Sequence, residues 1–210
     1  MSNTLDLEIL NGWKGLLVEA DESLVSRMKK KNRKAWISST CLATQPYPHQ
    51  TTLVKFVNHL KEPKKLALAV KGFNALIDTK DLNVRLEIAG YPLYEKVQCF
   101  PLETLLRAIN VTYVNFISLD VEGVEMDILK HFLGGNITVD VWIVEHKHPE
   151  GLDEPSDRVH PGFIHWFQSK GYTLYTYGPP IPTDYTFIRN GSDIHERAFR
   201  SRPARFVKEY

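Results

Sequence analysis

Apolar positions along the chain come in short runs broken by acidic, basic or proline-rich turns, and one run stands out. Tyr113 to Leu119, Y-V-N-F-I-S-L, places Tyr113, Val114, Phe116, Ile117 and Leu119 in a stretch too short for a buried helix, so it predicts a buried strand. It ends abruptly in Asp120, Glu122 and Glu125 around Gly123, ahead of a helix predicted over 124–132. Upstream, a first helix is predicted from Asn3 to Asn11, capped by Ser2 and stopped by Gly12. Trp13 to Ala20 then reads as a strand ending in Glu19, Asp21 opens a second helix, and Ala35 to Leu42 reads as another strand. Between 44 and 95 the pattern loosens. Pro46, Pro48, Pro63 and Pro92 punctuate apolar runs at 53–57, 66–70 and 75–77, which predict small antiparallel strands and loops.

Order returns with a strand at 97–100 and a helix led by Pro101 that reaches Asn110. After the central strand and its helix, Val139 to Val144 predicts a further buried strand running into Glu145, His146, Lys147 and His148. A linker at 155–161 precedes a helix at 162–170 that would bury Phe163, Trp166 and Phe167. Two last strands, 172–177 and 185–189, are joined by a loop long enough for an antiparallel return. Strands ending in Glu19, Asp120 and Glu145, separated by helices and closed by an antiparallel pair, predict an α/β fold with a doubly wound, mostly parallel sheet. In such a sheet the strands ending at Glu19 and Asp120 run parallel in one layer with their carboxyl ends on the same edge, and helices on both faces bury 114–119 almost fully.

Composition narrows this picture. A chain of 210 residues with 43% hydrophobic content suits one domain, expected over 1–192 with 44–95 as an irregular insertion and 193–210 as a poorly ordered basic tail. The net charge of +1, with signs interspersed, argues against a general nucleic-acid or membrane-surface binder. No apolar run approaches the ~18 residues of a membrane span, and the first residues lack the marks of an export signal. Cys41 and Cys99 stand alone without C-x-x-C spacing, so neither a zinc site nor a disulfide framework is expected and both read as buried thiols. Three N-x-S/T triplets, at Asn110, Asn136 and Asn190, are as many as chance supplies and matter only in a secretory lumen.

The candidate chemistry gathers at strand ends. In open parallel sheets ligands sit outside the carboxyl ends of the strands, which favours a site role for Asp120. Glu125 is better read as complementing the positive end of the helix that follows it. His146 and His148 have a spacing that two metal ligands can use, but no third ligand follows at a recognisable spacing and no metal is expected.

Taken in order, G-W-K-G-L-L-V-E-A-D, V-Q-C-F-P-L-E-T-L-L, F-I-S-L-D-V-E-G-V-E-M-D-I-L and W-I-V-E-H resemble the FkbM family of S-adenosylmethionine-dependent methyltransferases, and within it the animal Star-like proteins. The resemblance runs from about 2 to 189 and is loosest over 44–95. It implies a class I methyltransferase fold, Rossmann-like, with strand order 3-2-1-4-5-7-6, and O-methyl transfer from S-adenosylmethionine. It gives Glu19 the cofactor's ribose hydroxyls, Asp120 a cofactor-binding and catalytic place, and Glu122 and Glu145 catalytic places beside the methyl-transfer cleft. A metal-assisted variant would use Asp120, Glu122 and His146. The Star-like comparison implies instead a non-catalytic luminal domain that helps cargo leave the endoplasmic reticulum toward the Golgi in vesicle-mediated transport. The partner is accordingly a methyl acceptor or a cargo protein, and the compartment is the secretory lumen if an anchor lies upstream, otherwise the cytoplasm. The family's first strand and its D-x-G-x-x-x-G loop are not found in these residues. An N-terminally truncated domain is therefore expected, with weak or absent cofactor binding and no activity of the chain alone.

Overall fold

The computed structural model describes residues 4–56, 74–77, 92–146, 159–177 and 184–200. These residues form a mixed α/β structure with three sheets rather than one, and the chain divides into two compact units. The first unit comprises Met1–Leu105 and Glu122–Phe132, the second Leu106–Val121 and Leu133–Tyr210.

In the first unit, helix α1 (Leu5–Asn11) begins after Thr4; Ser2, the expected cap, lies outside the described residues. It ends where Gly12, at φ 67°, turns left-handed and the N–H groups of Gly12 and Trp13 reach back to Glu8 and Leu7. Ile9 and Leu10 of this helix are exposed. Strand β1 (Leu16–Val18) pairs in parallel with β2 (Trp36–Ser38), and α2 (Glu22–Lys29) crosses between them, burying Val25. Asp21 caps α2 as expected, its Oδ1 accepting the Ser23 N–H at 2.9 Å. Glu8 receives Arg33 Nε at 2.9 Å and the Lys34 N–H at 2.7 Å, which ties α1 to the approach of β2.

The strand predicted over 35–42 is split: after β2, the short β3 (Cys41–Leu42) joins a different, four-stranded sheet in the order β3-β6-β4-β5. The antiparallel strands expected in the loose region are present there. β4 (His49–Phe56) pairs antiparallel with both β5 (Ala75–Leu76) and β6 (Pro92–Phe100), and β6 starts five residues ahead of the predicted Val97. The run expected at 66–70 lies outside the described residues. Parallel pairing of β3 with β6 sets Cys41 opposite Cys99, and the two are joined by a disulfide. This corrects the reading of both as thiols. The partners are 58 residues apart, so no local spacing signals the bond; sheet register creates it.

Helix α3 (Leu102–Ala108) follows Pro101, whose carbonyl accepts the Leu105 N–H. Helix α4 (Glu125–Phe132) belongs to the first unit and buries Glu125, Ile128, Leu129 and Phe132.

The second unit is built on a sheet in the order β7-β8-β10-β9. β7 (Tyr113–Leu119) and β8 (Thr138–Glu145) run parallel, while β10 (Asp184–Arg189) is antiparallel to both β8 and β9 (Tyr172–Tyr177). This is the 4-5-7-6 half of the implied order, and β1 with β2 matches its 2-3 pair. The single doubly wound sheet, however, is not found. In the implied order a strand stands between the one ending at Glu19 and the one ending at Asp120. Among the described residues none does, so β1 hydrogen-bonds to β2 and β7 to β8, in separate sheets. Among the described strands β7 is therefore at the sheet's edge, and only Leu119 of it is buried. Phe116 and Ile117 are half-buried, against the near-complete burial expected.

The core of this unit is aromatic. Trp142, Phe163, Phe167, Tyr185 and Phe187 are almost completely buried, each contributing roughly 1.5–3 kcal/mol of apolar burial. Phe163 and Phe167 come from α5 (Pro161–Ser169), and the Phe167 ring stacks on Phe187 with centroids 3.9 Å apart. Trp166, expected inside, is only half-buried, and Ile164 takes a core place instead. At the amino end of β8 the buried Asp140 accepts Arg189 Nε at 3.0 Å and Nη2 at 2.9 Å, together with a hydrogen bond from the Tyr113 hydroxyl. One carboxylate thus joins β7, β8 and β10. Residues 193–200, expected to belong to a loose tail, form helix α6 (Asp193–Arg200), whose entry is capped by the Ser192 hydroxyl accepting the His195 N–H. The remaining tail residues lie outside the described set.

Candidate active site at the carboxyl ends of the strands

Register places the acids of the second unit. Leu119 stands opposite Val144, so Asp120, just past β7, and Glu145, the last residue of β8, leave the sheet side by side. Their carboxylate oxygens lie within 4.8 Å of each other. Antiparallel pairing sets Asp184, at the start of β10, opposite Glu145. Burial pushes the Asp184 carboxyl above its usual range, and the charge of Glu145 adds to the rise. Oxygen acceptors this dense can take a proton from a substrate hydroxyl, and Asp120 with Glu145 can also share a hard cation.

Beside Glu145, the His146 imidazole is held on two sides. Its Nε2 lies 2.8 Å from His160 Nδ1, so one ring donates and the other accepts. Its face stacks on Phe163 at 4.0 Å between centroids. His160 in turn precedes the proline that opens α5, and its backbone N–H donates to the Tyr185 hydroxyl at 2.9 Å. His146 is therefore partnered by a histidine far along the chain. His148 lies outside the described residues.

The remaining sequence-predicted residues belong to the first unit. Glu19 follows β1, with its N–H donating to the Ser38 carbonyl at 3.1 Å and its Oε1 accepting the Asp21 N–H at 2.9 Å. Burial raises its carboxyl above the ordinary value, against the lowering effect of that N–H. Next to it, Asp21 also meets Lys55 Nζ at 3.2 Å, and Lys55 reaches on to Glu95. Glu122 stands two residues after Asp120 in a left-handed conformation, φ 60°, followed by Gly123 at φ 106°, a backbone region that a side chain disfavours. The Gly123 N–H donates to Glu125 Oε1 at 2.9 Å, so the buried Glu125 serves the helix entry, as expected.

The family's model, described as the methyltransferase FkbM domain, matches residues 1–174. The chain belongs to the FkbM methyltransferase domain family. No curated protein and no solved structure matches it. Within this FkbM domain the described helices include none long and apolar enough to cross a membrane.

Sequence reasoning missed two members of the FkbM domain's acidic edge. Asp184 falls in the loop predicted between the last two strands, although it immediately precedes the apolar run of β10. His160 lay in a predicted linker, and only the tertiary return of α5 brings it to His146. Asp140 did carry a signal: a lone carboxylate inside V-D-V-W-I-V is a buried charge that demands a partner.

Proposed function

We propose that these residues supply the ribose-binding acid and the acceptor-side carboxylates of an S-adenosylmethionine-dependent O-methyltransferase. The observation that carries the reading is the proximity of Asp120 and Glu145 at the carboxyl ends of adjacent parallel strands, where this class of sheet binds ligands. Glu19 fits the cofactor by its chemistry, since a carboxylate at a strand end is the acceptor that ribose hydroxyls require. The cofactor, when bound, supplies a methyl group on a sulfonium. Asp120 binds or deprotonates the substrate hydroxyl, Glu145 offers a second carboxylate oxygen to the same hydroxyl, and Glu122 orients the donor side of the same turn. Labelled methyl transfer to hydroxyl acceptors, measured with a chain that carries a glycine loop, tests this. Asp120→Asn should slow transfer by roughly 10²–10⁴-fold with cofactor affinity kept, whereas Glu19→Gln should weaken affinity first. An unchanged rate in Asp120→Asn would sink the assignment.

A second reading, a non-catalytic Star-like domain in the lumen of the secretory pathway, is favoured by the Cys41–Cys99 disulfide, because such bonds persist in oxidising compartments and are rare in the cytosol. Its cargo would be a protein in transit. Trapping of thiols in intact cells tests the compartment: free Cys41 and Cys99 would remove its support.

A further inference from the structure

The sheet of the second unit gathers the three N-x-S/T triplets. Asn110 lies in the turn before β7, Asn136 in the turn before β8, and Asn190 directly after β10. Because β7 and β8 are parallel and β10 is antiparallel to β8, all three turns fall at the same end of the sheet. Register fixes this: Tyr113 stands opposite Thr138, the Thr138 N–H donates to the Thr112 carbonyl, and Ile188 stands opposite Val141. All three asparagines are exposed. Asp120, Glu145, His146 and Asp184 occupy the opposite end.

We propose that Asn110, Asn136 and Asn190 are N-glycosylation sites and that the amino-end edge of the β7-β8-β10 sheet is a glycan-bearing edge. The proposal rests on the oxidising compartment of the second reading, not on methyl transfer. Two independent observations meet in it: a disulfide between sheet neighbours, of a kind that oxidising compartments preserve, and sequons whose asparagines all lie in exposed turns. The donor is a lipid-diphosphate oligosaccharide of the secretory lumen. The Asn Nδ2 bonds to the anomeric carbon, the carbon–oxygen bond to the diphosphate breaks, the lipid diphosphate leaves with the electron pair, and one amide proton passes to a base. The fold tolerates the product at each place. At Asn190 the side-chain Oδ1 accepts the Thr173 hydroxyl at 2.7 Å, and glycosylation leaves that oxygen unchanged. Ser192, the hydroxyl of the third triplet, is buried in the entry of α6, which suits attachment to the chain before it folds. Sugars on this edge also leave the acidic edge open.

The test uses the full-length protein from cells that make it, with free thiols blocked before lysis. Peptide-N-glycosidase in heavy-oxygen water converts each glycan-bearing asparagine to labelled aspartate, read by mass spectrometry. Label at Asn110, Asn136 and Asn190 is expected, with Cys41 and Cys99 protected from the blocking reagent. N110Q, N136Q and N190Q should each remove one step of gel mobility. T112A, which keeps Asn110 but breaks its triplet, should remove the same step as N110Q. Absence of label at all three with the disulfide intact overturns the glycan assignment while the compartment stands; free thiols at both cysteines overturn the two together.

Discussion

The Asp140 clamp sets the register that brings Asp120 beside Glu145, and its removal can be given a size. Asp140 is 3% exposed and accepts three hydrogen bonds, two from the Arg189 guanidinium and one from the Tyr113 hydroxyl. Deleting one partner of a fully buried pair costs ~3–5 kcal/mol, mostly for the charge left behind. Here the abandoned groups have an escape: the Arg189 side chain is 33% exposed and Tyr113 is 50% exposed, so water can solvate both. Exposed pairs contribute only ~0–1 kcal/mol. Asp140→Ala should therefore fall between the limits, at about 2 kcal/mol. For a chain of this length, each kcal/mol moves the melting midpoint by roughly 2–4 °C, so a drop of about 4–8 °C is expected. Amide exchange should localise the loss to β7, which has one hydrogen-bonded neighbour among the described strands. A cycle with Tyr113→Phe should show non-additivity, since both changes remove the same bond. A midpoint within about 1 °C of the parent, or equal loss of protection in β9, would refute the clamp as the register device.

Breaking the Cys41–Cys99 bond with paired Cys→Ala changes should cost about 4 kcal/mol by loop entropy over 58 residues, read as a shift of the denaturant midpoint at constant slope. Residues 1–210, lacking a glycine loop, should bind S-adenosylmethionine no tighter than about millimolar, which is roughly 4 kcal/mol. Micromolar binding by calorimetry would mean another site holds the methionine half. Acid should weaken the first unit through Asp21. Burial pushes that carboxyl up, but hydrogen bonds from Ser23 and Lys55 outweigh it and hold the folded value below 3.8. The stability it supplies is complete above 3.8 and is lost as pH falls through the folded value. Asp21→Asn keeps a good helix cap and should flatten that acid limb; an unchanged pH profile would contradict the linkage.

What the sequence made legible follows from how local the causes are. β7, α1, α2 and the antiparallel return of β9 and β10 are set by runs of apolar residues and by Asp21, Gly12 and Pro101, which act within a turn or two of chain. The family's motifs lie across β1, β6 with α3, β7 with α4, and the end of β8. The division of 35–42 between two sheets, the edge position of β7 and the disulfide depend on pairing partners tens of residues away, which periodicity does not encode. At the site, the strand-end rule reached Asp120 and Glu145. It passed over Asp184 and His160 because their positions come from antiparallel register and from a helix returning across the sheet.

The bond between Cys41 and Cys99 also changes what a break in the chain means. It closes residues 41–99 into one covalent ring, so a protease that cuts once anywhere inside opens the ring but releases nothing. Such a nicked molecule would keep β3 and β6 tethered at neighbouring positions, migrate as one species without reductant and separate into two with it. Integrity judged on a reducing gel alone would then report a cleaved protein where an oxidising compartment still holds a connected one.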